Sequence, residues 1–221
     1  MKEKLKVKFC GLQSEEDIQN CIQADYLGFI VEVPESKRNI SLEQAEKLIH
    51  HSNYEFTAVA VTKNLNKIEL ISETIHPDFI QLHTKIQDLD NVLGRLETID
   101  QQFILTIGSS ENEIINAKIL NHEIGSKSEY ILIDSIVDNN IAGGSGKTQN
   151  LLKTAEIIEK NNKLRFVIAG GLNSENVINF VQKIKPYGVD VSSGIENTNN
   201  IKDRKLINKF LSTLEQYNNE G

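Results

Sequence analysis

The chain has 221 residues, with 24 Lys and Arg against 31 Asp and Glu, a formal net charge of −7. That surplus of acid weighs against nucleic acid or an anionic membrane surface as a partner, yet a few local cations and backbone amides are enough to hold a small anion. Two cysteines make no disulfide framework, the start "MKEKLKVKFC" has no apolar signal stretch, and no run reaches membrane-spanning length.

The expectation is a cytoplasmic protein without a membrane segment. With three prolines and no linker-like stretch, it is expected to form one domain over 1–221. Along the chain, short apolar runs alternate with helix-like segments. "LKVKFC" (5–10) is followed by "SEEDIQNCIQ", which opens at Ser14 with carboxylates in its first turn. "YLGFIVE" (26–32) precedes "SLEQAEKLI", where Ser41 and Gln44 have the spacing of a capping box. "FTAVAVT" (56–62), "DFIQLH" (78–83), "QFILTIG" (102–108) and "YILIDS" (130–135) come next. "RFVIAGG" (165–171) leads into a helix opening at Asn173 and Ser174, and "GVDVSSG" (188–194) into one opening at Asp203. Most runs are continuously apolar, as in strands buried on both faces. Eight strand-helix units are the count of a closed (β/α)8 TIM barrel, placed ahead of an open doubly wound α/β sheet.

Barrels of this kind carry their sites at the carboxyl ends of the strands. The seventh run ends in Gly170 and Gly171, and the eighth in Ser193 and Gly194. Amides in such loops, backed by a helix N-terminus, make a phosphate site. A third glycine loop, "NNIAGGSGKT" with Gly144 at its centre, follows the sixth run. It is no Walker A loop, because Ile141 stands where the first glycine of that pattern belongs. It is expected to line the same pocket.

Cys10 ends the first run and Asp134 the sixth. A thiol there can act as a base if positive potential lowers its pKa, and a carboxyl can act as an acid if burial keeps it protonated. A small buried core residue is the alternative for Cys10, and a turn cap for Asp134. Arg38 lies near the mouth, either as an anion contact or as a solvated loop residue. His83 ends the fourth run, with no second ligand spaced to complete a metal site. Cys21 reads as core packing.

Taken together, "KFCGL", "ADYLGFI", "ESKRNIS", "IQLH", "LIDS" with "GGSGKT", "IAGGLNSENV" and "KPYGVDVSSGIE" with "IKD" resemble the phosphoribosylanthranilate isomerases. The matches run in order over nearly the whole chain. The resemblance implies an Amadori rearrangement of a phosphorylated sugar substrate, without metal or other cofactor. It makes Cys10 the general base and Asp134 the general acid, and sets Arg38 at the anthranilate end. It adds His83 and Asp190 as substrate contacts. Rival readings are the aminoaldose isomerase of histidine synthesis and a non-catalytic sugar-phosphate binding barrel. The sequence leaves the oligomeric state open, with a homodimer admissible.

Overall fold

The apolar runs are parallel strands of one sheet in the computed structural model, which describes residues 4–83, 94–95, 98–99, 101–108, 128–134 and 154–219. In chain order the elements are β1 (Lys6–Cys10), α1 (Glu15–Cys21), β2 (Tyr26–Val31), β3 (Asn39–Ile40), α2 (Leu42–His50) and β4 (Ala58–Thr62). They continue as α3 (Ile68–Ile75), β5 (Phe79–His83), β6 (Phe103–Gly108), β7 (Ile131–Asp134), β8 (Phe166–Ala169), α4 (Val177–Ile184), β9 (Gly188–Val191) and α5 (Arg204–Asn219). Strand order runs β1-β9-β8-β7-β6-β5-β4-β2, and β1 also pairs with β2, so eight parallel strands close into a barrel. The closed barrel is the one expected from the count of eight.

Period-two alternation sorts the side chains into two cores. Phe9 and Val7 of β1 point outward into the layer between strands and helices, where Phe9 meets Phe210 of α5 edge-on at 6.1 Å. Burying a side chain of that size contributes about 2 kcal/mol. Inside the barrel, Val59, Val61, Ile104, Leu132 and Val167 pack against Cys10, Tyr26 and Tyr130. The amino-terminal end is filled with aromatic rings, with Tyr26 edge-on to Phe79 at 6.1 Å and to Tyr130 at 5.4 Å.

The helix starts follow the capping signals with two differences. Ser14 Oγ accepts from Asp17 N–H, and Asp203 Oδ1 accepts from the N–H groups of Lys205 and Leu206. Ser41 Oγ accepts from Gln44 N–H, but the Gln44 side chain donates to the Gln13 carbonyl instead of returning to the cap. α4 begins at Val177, later than Asn173 suggests, because Asn173 Oδ1 ties down the N–H groups of Glu175 and Asn176 in a preceding turn. β3 has no counterpart in the sequence reading. Two residues carry too little pattern to register, yet they pair with Ile30 and Val31 of β2 and return the chain to the barrel rim immediately after Arg38.

Candidate active site

At the carboxyl ends of the strands lies a cavity of about 230 Å³, lined by Cys10, Arg38, His83, Asp134 and Asp190 together with the Gly170–Gly171 and Ser192–Ser193 loops. Eight of the ten site residues expected from the sequence line it (Cys10, Arg38, His83, Asp134, Gly170, Gly171, Asp190 and Ser193), and a ninth, Gly194, lies in the turn Ser193–Ile195 that follows. The tenth, Gly144, lies outside the described residues together with the rest of "GGSGKT".

Cys10 closes β1 and faces Gly28 of β2 in register. A Cβ on Gly28 would stand 3.0 Å from Cys10 Sγ and 3.1 Å from Lys8 Nζ, so thiol and ammonium share the space that glycine leaves open. Lys8 lies two residues before Cys10 and therefore points the same way, into the barrel. It is the register partner of Asp190, and its Nζ donates to Asp190 Oδ2 at 3.1 Å with both side chains buried. Burial pushes the Cys10 thiol up; Lys8 and Lys202 oppose it, and the Asp190 carboxylate adds to it. Burial also works to lower the Lys8 ammonium, but Asp190 and Cys10 hold it above its ordinary value, so it is charged.

Across the mouth, Asp134 ends β7 and His83 ends β5, with β6 between them. Burial pushes the Asp134 carboxyl up, opposed chiefly by His83. Burial pulls the His83 imidazole down, which favours the neutral ring at neutral pH. A carboxyl pushed toward its protonated form beside an imidazole pushed toward its neutral form is suited to donate a proton.

Arg38 is fixed from three sides. Its Nε and Nη2 donate to the two carboxylate oxygens of Glu196 at 2.7 and 2.6 Å. Gly11, at φ 81, lets the Arg38 stem pass; a Cβ there would be 2.5 Å from Arg38 Cδ. Asn39 Oδ1 accepts from Val33 N–H and closes the loop that carries the arginine. Since one edge of the guanidinium is taken by Glu196, the edge bearing Nη1 remains for a ligand anion. Glu196 also accepts from the buried Lys202 Nζ at 2.6 Å, and Lys202 donates to the Ser192 carbonyl and hydroxyl. Ser192 Oγ donates to the Cys10 carbonyl at 2.8 Å. Burial works to raise the Glu196 carboxyl, but the hydrogen bonds from Arg38 and Lys202 hold it below the usual carboxylate range.

Gly170 and Gly171 adopt φ of 101° and 65°, a left-handed turn that puts backbone into the cavity wall. Gly194 is required by closeness of another kind, as a Cβ there would lie 1.8 Å from the Leu172 carbonyl oxygen. The loops after β8 and β9 thus touch backbone to backbone. Three buried polar atoms of the cavity lining, Gln81 Oε1, Thr106 Oγ1 and Asp190 Oδ1, have no hydrogen-bond partner among the described residues. A ligand rich in hydroxyl groups would satisfy them. Among the described residues no cluster of three or more His, Cys, Asp or Glu is placed to hold a metal, and no helix is long and apolar enough to cross a membrane.

The sequence reading passed over Lys8, Glu196 and Lys202. Lys8 was recoverable: in a strand ending at Cys10, alternation puts residue 8 on the same inward face. Glu196 and Lys202 stand in "SSGIE" and "IKD", but nothing local gave them a role, since their meeting with Arg38 depends on how separate loops fold.

Among known proteins, the sequence profile of the N-(5'-phosphoribosyl)anthranilate (PRA) isomerases matches residues 7–213. An N-(5'-phosphoribosyl)anthranilate isomerase of Listeria welshimeri is 34% identical over 95% of this chain and 98% of its own. The phosphoribosyl anthranilate isomerase of Thermotoga maritima superposes with a TM-score of 0.76 at 28% identity, covering 96% and 99% of the two chains. That Thermotoga protein is described as dimeric. A phosphoribosyl anthranilate isomerase bound to reduced 1-(o-carboxyphenylamino)-1-deoxyribulose 5-phosphate superposes at 0.71, with 25% identity over 96% and 99%.

Proposed function

The chain belongs to the N-(5'-phosphoribosyl)anthranilate isomerase family, and from that premise we propose how its cavity isomerises this substrate. The observation that carries the reading is the pairing of Cys10 and Asp134 across one cavity, with a protonation-prone carboxyl on one wall and a thiol beside buried cations on the other.

Asp134 gives its proton to the ribose ring oxygen. The C1–O bond breaks as the nitrogen lone pair forms a Schiff base. The Cys10 thiolate then removes the proton from C2, leaving an enolamine that takes up a proton at C1 while its C2 hydroxyl gives one up, which makes the ketose. Neutral His83 stays beside Asp134 and contacts the substrate. Asp190 Oδ1 accepts from a sugar hydroxyl. Arg38 meets the anthranilate carboxylate through its Nη1 edge. The phosphate is held by amides of Gly170, Gly171, Ser193 and Gly194 at the rim. The reaction needs neither metal nor nucleotide, because proton transfer between two side chains completes it.

We further propose that residues 1–221 work as one domain in the cytoplasm, and that the protein forms a homodimer like its Thermotoga relative. Neither rival reading accounts for the site as well. The histidine-pathway isomerase would have an aspartate where Cys10 stands, and a binding barrel would need no acid and base facing each other. The test is a fluorescence assay in which purified protein, in the presence of a chelator, consumes N-(5'-phosphoribosyl)anthranilate. Loss of the anthranilate-linked signal at a catalysed rate is expected, and a rate equal to the uncatalysed one would overturn the reading.

A further inference from the structure

A base must first lose its own proton, and the walls around Cys10 make that costly. Cys10 is buried, and burial favours the neutral form of its thiol. The interior holds a charge that answers this cost. Lys8 is a buried ammonium with three donors, and its hydrogen bond to Asp190 Oδ2 uses one of them. Its Nζ and the Cys10 Sγ both crowd the open face of Gly28, where a single methyl group would touch both. Buried ion pairs are poor sources of stability, since the desolvation of two charges offsets most of their attraction. A lysine placed there for stability alone would be replaceable by an apolar side chain. Proximity to a nucleophile gives it another use.

We propose that Lys8 is the counter-charge of the Cys10 thiolate: a positioning residue beneath the cavity floor, resting on Asp190 and turning a spare N–H toward sulfur when the thiol ionises. The proton lost by the thiol leaves through the open mouth to solvent. The ammonium then stands between two anions, the Asp190 carboxylate and the thiolate, until sulfur takes the C2 proton of the substrate. The inference rests on the catalytic role proposed for Cys10 and names what makes that role attainable. Other charged or titratable groups around Cys10 are Asp190 on β9, Lys202 after β9, Arg38 before β3 and Tyr130 before β7. Lys202 and Arg38 are committed to Glu196, and the Tyr130 hydroxyl is neutral because burial pushes it well above its ordinary value. Among the described residues, Lys8 is the cation that acts most strongly on Cys10 and whose Nζ shares the open face of Gly28 with its sulfur.

The test is the rate at which iodoacetamide alkylates Cys10 as a function of pH, read from the mass of the Cys10 peptide in the full-length protein. Cys21 stays silent, since burial pushes its thiol up to about 12. Lys8→Met should raise the alkylation midpoint by about one pH unit or more, the size expected from losing a close opposite charge. Asp190→Asn should move it the other way, because the competing anion is gone. In the isomerase assay, Lys8→Met should lower kcat about tenfold or more with little change in KM. If Lys8→Met does not fold, the pairless Lys8→Met/Asp190→Asn double variant takes its place, and its midpoint should lie above that of Asp190→Asn alone. A midpoint unmoved by Lys8 substitution in folded protein would overturn the proposal, as would an upward shift in Asp190→Asn. Alkylation uses no substrate, so its outcome is separate from whether the protein isomerises N-(5'-phosphoribosyl)anthranilate.

Discussion

The two walls of the cavity solve opposite problems with one solvent-poor environment. On the wall of β9, β1 and β2, the thiol of Cys10 is surrounded by formal charges in pairs: Lys8 with Asp190, and Arg38 and Lys202 with Glu196. On the wall of β5 to β7, Asp134 shares the lining with His83, Gln81 and Thr106, and the charges of His83, Lys63 and Lys8 act on it less than burial does. Burial disfavours the charged form of both groups. On the second wall burial outweighs the opposing charges, and it favours the protonated carboxyl that an acid needs. On the first it is opposed by cations, which bring the thiol nearer to ionisation than burial alone would leave it. The acid needs only desolvation; the base needs desolvation offset by a nearby positive charge.

Breaking either wall at its reactive group should have the largest effect. Cys10→Ser and Asp134→Asn are each expected to lower kcat by about 100-fold or more, the usual worth of a general base or acid, in steady-state assays on protein with native circular dichroism. Next comes the charge network of the first wall. Glu196→Gln leaves Lys202 buried without its anion, which should cost about 3 kcal/mol of unfolding free energy in urea titrations. The Glu196 carboxyl is held low in the folded protein, so its contribution is complete above the ordinary glutamate pKa of about 4.3 and fades as pH falls through the lower folded value. The urea midpoints of wild type and Glu196→Gln should therefore converge in acid. A gap that widens there would contradict the sign.

Arg38→Ala sharpens the comparison, since it keeps the Lys202–Glu196 pair while removing the ligand-facing cation and its own bonds to Glu196. KM should rise about tenfold or more, as expected when a charged hydrogen bond is lost, with a smaller change in kcat. The smallest expected effect is that of Gly28→Ala. Its methyl group would press on Sγ and Nζ at 3.0 and 3.1 Å, and kcat should fall severalfold at constant KM. The same substitution should leave the alkaline behaviour of Asp134 untouched, as it lies on the other wall.

How much of this was legible follows from the range of each interaction. Strands and helix starts are local, so Ser14, Ser41 and Asp203 marked their helices and the eight runs gave the barrel. Cys10, Asp134 and His83 were legible because strand ends are fixed by where apolar runs stop. Asp190 was harder to place: the sequence put it at the mouth, and its pairing with Lys8 deeper inside shows only through β1–β9 register. Arg38 was legible as a loop cation, but its grip on Glu196 was not, because residues 158 apart meet only in the closed barrel. The short β3 that carries Arg38 back to the rim was beyond reach for the same reason.

The most direct test of the asymmetry between the walls is the pH dependence of kcat/KM for wild type, Asp134→Asn and Cys10→Ser. The wild type should give a bell, since it requires a protonated carboxyl and an ionised thiol together. The residual activity of Asp134→Asn should rise with pH and not fall again, and that of Cys10→Ser should lose the rise. If both variants instead retain the full bell of the wild type, neither group is the one that titrates, and the account of the two walls is wrong.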